Sequence, residues 1–248
     1  MLKPCMDISI KLRRNLIFAA SLCFFVIPPL FAGAASARAF SAWTFPVKPL
    51  LYALFAFVLV RFSFPPSAPI KGDAFRFVRI GWTLATFGAL CVIASVIEII
   101  VRLSGGKGSL EPALPSSIAE TLFCIVNFAC ASFYEEALYR LYLPESIRAI
   151  LEDLLPKRIN KSENENTLQK KNAVNEHGSR NIFLISEISA VSLFALSHRY
   201  LGLPAVANAF FAGIVLRICC KKSKTLWTNT VSHFAYNMLS LVLFALIR

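Results

Sequence analysis

Apolar residues run through this chain in long stretches separated by short polar ones. A helix that crosses a bilayer needs about twenty largely apolar residues. Seven windows meet or approach that length: 15–35, 48–62, 80–101, 118–143, 181–198, 203–219 and 226–247. The second is short and is flanked by Pro46, Pro49, Pro65 and Pro66. Only residues 199–202 separate the fifth from the sixth, where Gly202 stops one helix and Pro204 starts the next. The pattern predicts an all-α, polytopic membrane bundle of about seven transmembrane helices. It forms a single membrane-embedded domain over 1–248, with no internal repeat and no soluble domain.

One long polar stretch, 157–180, is rich in Asn, Lys, Glu and Ser and reads as a mobile cytoplasmic loop. Before it, 144–155 places Ile147, Ile150, Leu151, Leu154 and Leu155 on one face, an amphipathic extension of the fourth helix. The basic residues outside the spans alternate in density. Taken in turn, the segments from the N-terminus onward divide nineteen Lys and Arg against six. The positive-inside rule then puts the N-terminus in the cytoplasm and the C-terminus outside. Lys11, Arg13 and Arg14 before an apolar run, with Ala35-Ser36-Ala37 after it, also fit a signal peptide. The run exceeds the usual 7–15 residue core, which favours an uncleaved first helix.

Composition narrows the class further. The chain is 56% apolar and 16% charged, with 22 Phe, against roughly 45–50% and about 25% for soluble domains. A body of this size has too little interior to hide so much apolar surface, which excludes soluble globular, disordered and fibrous readings. The net charge of +12 invites a nucleic-acid partner. Its basic residues fall in short clusters between apolar runs, so no nucleic-acid partner is expected. The cysteines form no C-x-x-C pair and mostly sit in apolar runs, as small buried hydrophobes.

Ionisable side chains at membrane depth are costly and therefore candidates for function. Within the spans these include Glu98, Glu135, Glu136, Arg140, Glu187, His198, Arg217 and His233, with the polar Asn237 near the last. Glu136 and Arg140 are four apart, so they share a helix face and pair in the favoured order. Glu135 projects about 100° away and needs a partner from another helix. Phe194 and His198 are four apart, as are His233 and Asn237. Glu135, His198, His233 and Asn237 can thus converge from three helices to polarise a water, the carboxylate taking its proton while imidazole and amide stabilise an oxyanion. Glu135, His198 and His233 could equally hold a divalent metal, zinc being the usual guest of such a set. Glu98 and Glu187 read as packing residues, Glu187 lying on nearly the same face as His198, and Arg217 as a snorkelling side chain at the cytoplasmic rim.

Taken in order, Glu135-Glu136-x-x-x-Arg140, Phe194-x-x-x-His198 and His233-x-x-x-Asn237 resemble the three signature motifs of the CPBP family. These are the CAAX proteases and bacteriocin-processing enzymes, or Abi proteins, which include the type II CAAX prenyl endopeptidases. The resemblance covers a CPBP-like catalytic core at 117–248. It implies an intramembrane endopeptidase acting on a membrane-anchored, in some members lipidated, peptide or protein. In that family Glu135 would be the water-activating base, with His198, His233 and Asn237 completing the site and Glu136, Arg140 and Phe194 supporting it. The same resemblance suggests a bacterial inner (plasma) membrane and a site opening toward the cytoplasm. Two departures stand out: the 63-residue spacing from Glu135 to His198, and Leu141 where a Gly commonly follows the motif Arg.

Depth arithmetic, at 1.5 Å per residue, places Glu135 and His233 about 10–12 Å from the cytoplasmic ends of their windows. His198 sits at the far end of its own window. It matches only if the fifth helix begins well before the membrane. Rival readings fit less well. H-E-x-x-H is absent, there is no rhomboid-like G-x-S motif, and the one Gly-Asp, Gly72-Asp73, falls between spans. No Lys lies in the last helix to hold retinal. A proton-relaying transporter lacks its repeats and broken helices, and a catalytically silent scaffold has no reason to keep all four polar residues.

Overall fold

The structure, a computed structural model, describes residues 3–32, 44–63, 73–106, 114–154 and 165–247. A helix lies at each of the seven windows, and no strand occurs among the described residues. Helix α1 (Lys3–Ser21) continues through a π-helical turn, Leu22–Val26, into Ile27–Phe31, where Pro28 and Pro29 occupy starting positions that need no N–H. It is followed by α2 (Val47–Ser63) and α3 (Asp73–Leu103). Helix α4 (Ile118–Glu135) passes through a second π-turn, Glu136–Tyr142, into α5 (Leu143–Leu154). Then come α6 (Glu165–Ser197), α7 (Leu203–Ser223) and α8 (Leu226–Ile247).

Local chemistry sets the ends that matter. Ser117 caps α4, its hydroxyl accepting from the Glu120 N–H at 3.2 Å while Glu120 reaches back to the Ser116 N–H at 2.7 Å. Between α6 and α7 the chain makes one 3₁₀ turn, Arg199–Leu201. Gly202 then adopts φ 103°, a backbone state other residues avoid, directly before Pro204 opens α7.

Among the described residues, five stretches are long and apolar enough to cross a membrane: Ser9–Phe31, Val78–Leu103, Ile118–Leu154, Gly178–Leu201 and Leu203–Ser223. Helix α2, at 17 residues, is short for a crossing. In α8 the first half carries Asn229, Ser232, His233 and Asn237, which lowers its hydropathy. The large apolar side chains that face outward, among them Leu54, Phe57, Phe62, Val92 and Ile188, are ones a bilayer solvates and water would not. The buried core gathers Tyr134, Ala137, Leu138, Tyr139 and Leu143 with Ala190, Phe194 and Ala209, so the second π-turn packs directly on α6 and α7.

The structure differs from the sequence reading at the polar stretch 157–180. Residues 165–180 are the first half of α6 rather than a loop, and 155–164 lie outside the described residues, as does Ala35-Ser36-Ala37. The backbone is helical where the depth arithmetic asked for it, sixteen residues ahead of the apolar window. Loop character was inferred from polarity, and a helix projecting beyond lipid can be polar on every side.

Candidate active site

Side chains from α4, the second π-turn, α8 and the end of α6 meet where that turn begins. Glu136 and Arg140 are both 0% exposed, with Arg140 Nε 3.5 Å from Glu136 Oε2. The guanidinium carbon stands over the Phe194 ring, 3.9 Å from its centroid, a cation–π contact that adds to the ion pair with Glu136. Close approach of α7 makes this possible. A Cβ at Gly213 would stand 3.2 Å from Val191 Cγ1 and 3.4 Å from Phe194 Cδ1.

His233 stands between the two carboxylates. Its Nδ1 is 3.0 Å from Glu136 Oε1, and its Nε2 is 3.8 Å from Glu135 Oε2. His198 follows the last residue of α6. Its Nδ1 is 2.9 Å from the Phe194 carbonyl, and its Nε2 is 4.0 Å from the same Glu135 Oε2. A carbonyl only accepts, which fixes the His198 proton on Nδ1, and the Glu136 carboxylate does the same for His233. Both rings therefore turn Nε2 toward one carboxylate oxygen. The gaps are too long for direct hydrogen bonds and short enough for one water on Oε2 to touch both rings.

Asn237, one turn beyond His233, turns toward α4. Its amide donates to Ser132 Oγ at 3.4 Å, three residues before Glu135. Asn229, which the sequence reading passed over, is wholly buried. It donates to Glu136 Oε2 at 2.9 Å and to the Leu216 carbonyl at 2.6 Å. The signal was present, since Asn229 stands four residues before His233 as Asn237 stands four after.

Two other expectations change. Arg217 does not snorkel freely. It is buried and pairs with Glu187, at 2.6 Å, and with Glu145, at 3.2 Å. Glu187 therefore has an ionic partner rather than a place beside His198. Glu98 pairs with Arg102 on its own helix, away from this cluster.

A cavity of about 650 Å³ reaches Glu135 and His198 and is walled by Tyr52, Tyr134, Tyr139 and Tyr200. Its outer residues, Pro29, Phe45 and Lys48, belong to the end of the bundle opposite the one where Lys11 and Arg14 bind Asp153 and where Lys221 binds Glu187. The cavity-bearing end also holds the turn between α6 and α7, through Ser197, His198 and Tyr200.

Two imidazoles and a carboxylate are the donor types that a catalytic zinc takes. As placed, no three His, Cys, Asp or Glu side chains among the described residues stand close enough to share one ion.

No curated protein and no solved structure matches the chain. A family model does: residues 117–239, about half the chain and the segment holding all three motifs, match the one described as type II CAAX prenyl endopeptidase Rce1-like. That family is one of proteases of the membrane, and the matched segment holds Glu135, His198 and His233. Over these residues the chain belongs to the type II CAAX prenyl endopeptidase Rce1-like family.

Proposed function

We propose that this protein is an intramembrane endopeptidase that hydrolyses a peptide bond of a membrane-associated protein or peptide, lipidated substrates included, by water activated at Glu135. The observation that carries this is the convergence of His198 Nε2 and His233 Nε2 on Glu135 Oε2, at 4.0 and 3.8 Å, with Glu135 and His198 lining a cavity large enough for a peptide segment.

A water between these groups gives its proton to the Glu135 carboxylate as its oxygen attacks the scissile carbonyl. The bond formed is C–O, and the carbonyl electron pair moves to oxygen. A His198 or His233 ring in its imidazolium form, with Nδ1–H already held by the Phe194 carbonyl or by Glu136, offers its Nε2–H to that oxyanion and keeps it through the step. Asn237 is assigned to the same oxyanion, reached when substrate displaces Ser132 from its amide. Collapse of the intermediate breaks the C–N bond, and the proton held by Glu135 passes to the leaving amine. Glu136 keeps His233 in the required tautomer, and Arg140 with Phe194 keeps Glu136 in place.

The experiment is a comparison of wild type with Glu135→Ala, His198→Ala and His233→Ala, purified in detergent and offered a panel of membrane-anchored peptides with and without chelator. Cleavage by wild type alone is the expected result. Equal product from all four removes the peptidase reading. Loss of wild-type cleavage with chelator, restored by zinc, assigns Glu135, His198 and His233 to a metal; indifference to chelator assigns them to water directly.

A further inference from the structure

Behind the site lies a second ionic cluster that the proposed chemistry does not use. Arg217, on α7 and 8% exposed, forks onto Glu187 of α6: Nε to Oε2 is 2.6 Å and Nη2 to Oε1 is 2.7 Å. The same Nη2 is 3.2 Å from Glu145 Oε1 of α5, and Lys221 Nζ is 2.7 Å from Glu187 Oε1. The remaining nitrogen, Nη1, donates to the backbone carbonyl of Arg140, inside the π-turn. One guanidinium thus ties α5, α6 and α7 to the middle of that turn.

Arg140 carries the consequence to the site. Its carbonyl is held by Arg217, while its own side chain reaches the other way, to Glu136 and Phe194. Glu136 in turn holds His233 through Nδ1. A π-turn is a sparsely used helical geometry that persists where surrounding contacts enforce it. A planar fork satisfying two carboxylate oxygens and a carbonyl at once is a contact of that kind, and one only Arg can make.

We propose that Arg217 is a positioning residue: clamped by Glu187, it holds the Arg140 carbonyl and with it the π-turn that sets Glu136 against His233. This rests on reading the Glu135, His198 and His233 group as the hydrolytic site, although the clamp itself is readable without turnover.

The test uses the full chain in detergent with Arg217→Met, Arg217→Lys and the milder Glu187→Gln, which leaves the guanidinium in place should Arg217→Met fail to fold. Amide hydrogen exchange is read by mass spectrometry on peptides spanning 136–142 and on peptides from α3. In parallel, kcat and KM are measured with a cleaved membrane peptide. Exchange rises in 136–142 and not in α3. For Arg217→Met, kcat falls by about 100-fold, the scale of a small misplacement of reacting groups, with KM within about threefold. Lysine restores only part of kcat, because a point charge cannot serve the fork and the carbonyl together. The proposal is overturned by unchanged exchange in 136–142, by exchange raised evenly through the bundle, or by full activity despite raised exchange. A wild type that cleaves nothing, with exchange still rising locally in the variants, supports the clamp and removes the peptidase reading instead.

Discussion

A carboxylate with no exposure has to be matched group by group, and Glu136 is. Arg140 supplies charge at 3.5 Å, His233 a ring N–H at 3.0 Å and Asn229 an amide N–H at 2.9 Å. Replacing Glu136 by Ala strands the Arg140 cation in the interior, so destabilisation of about 3–5 kcal/mol is expected, read as a lowered unfolding midpoint in detergent. Asn229→Ala leaves Glu136 Oε2 and the Leu216 carbonyl short of one donor each, for a loss of about 1–3 kcal/mol in the same assay. A midpoint unchanged in either variant would mean that water replaces the lost partner. Spacing alone revealed the Glu136–Arg140 pair, because both members lie on one helix. The Asn229 bond crosses from α8 to α4, and no local pattern announces which helix a side chain will meet.

At the scale of the element, α4 is more than the straight helix its hydropathy describes. The π-turn over Glu136–Tyr142 widens the coil where Glu135 and Glu136 stand side by side, and His233 sits against both. A regular period of 3.6 residues suggested two carboxylates with separate surroundings. One ring joins them instead. The packing of α7 on α6 depends in turn on Gly213, whose missing side chain admits Phe194 beneath Arg140. Gly213→Val should force Val191 and Phe194 apart at an overpacking cost of about 1–3 kcal/mol, with cleavage falling alongside stability. Retention of both would show that α7 can slide. The helical first half of α6 was hidden for another reason, since its polar residues carry no apolar stripe to betray the period.

For the molecule as a whole, the spans were legible because lipid demands long apolar helices whatever their neighbours do. The walls of the cavity were not, since they depend on which helix ends converge. Positive-inside counting and the placement of Lys48, Phe45 and Pro29 along the cavity together predict that a membrane-impermeant thiol reagent, applied to intact cells, labels Lys48→Cys and spares Lys222→Cys in a background stripped of native cysteines. The reverse pattern would invert the bundle. One junction has a mechanical meaning for all of this. His198 is the first residue beyond α6, and the three-residue turn after it leads at once into α7, whereas His233 is rooted mid-way along α8. The two helices joined by that turn form a single lever with one imidazole at its tip. Tilting the lever changes the His198–Glu135 separation directly and reaches His233 only by way of Phe194, Arg140 and Glu136, so the width of the water's berth responds first on the His198 side.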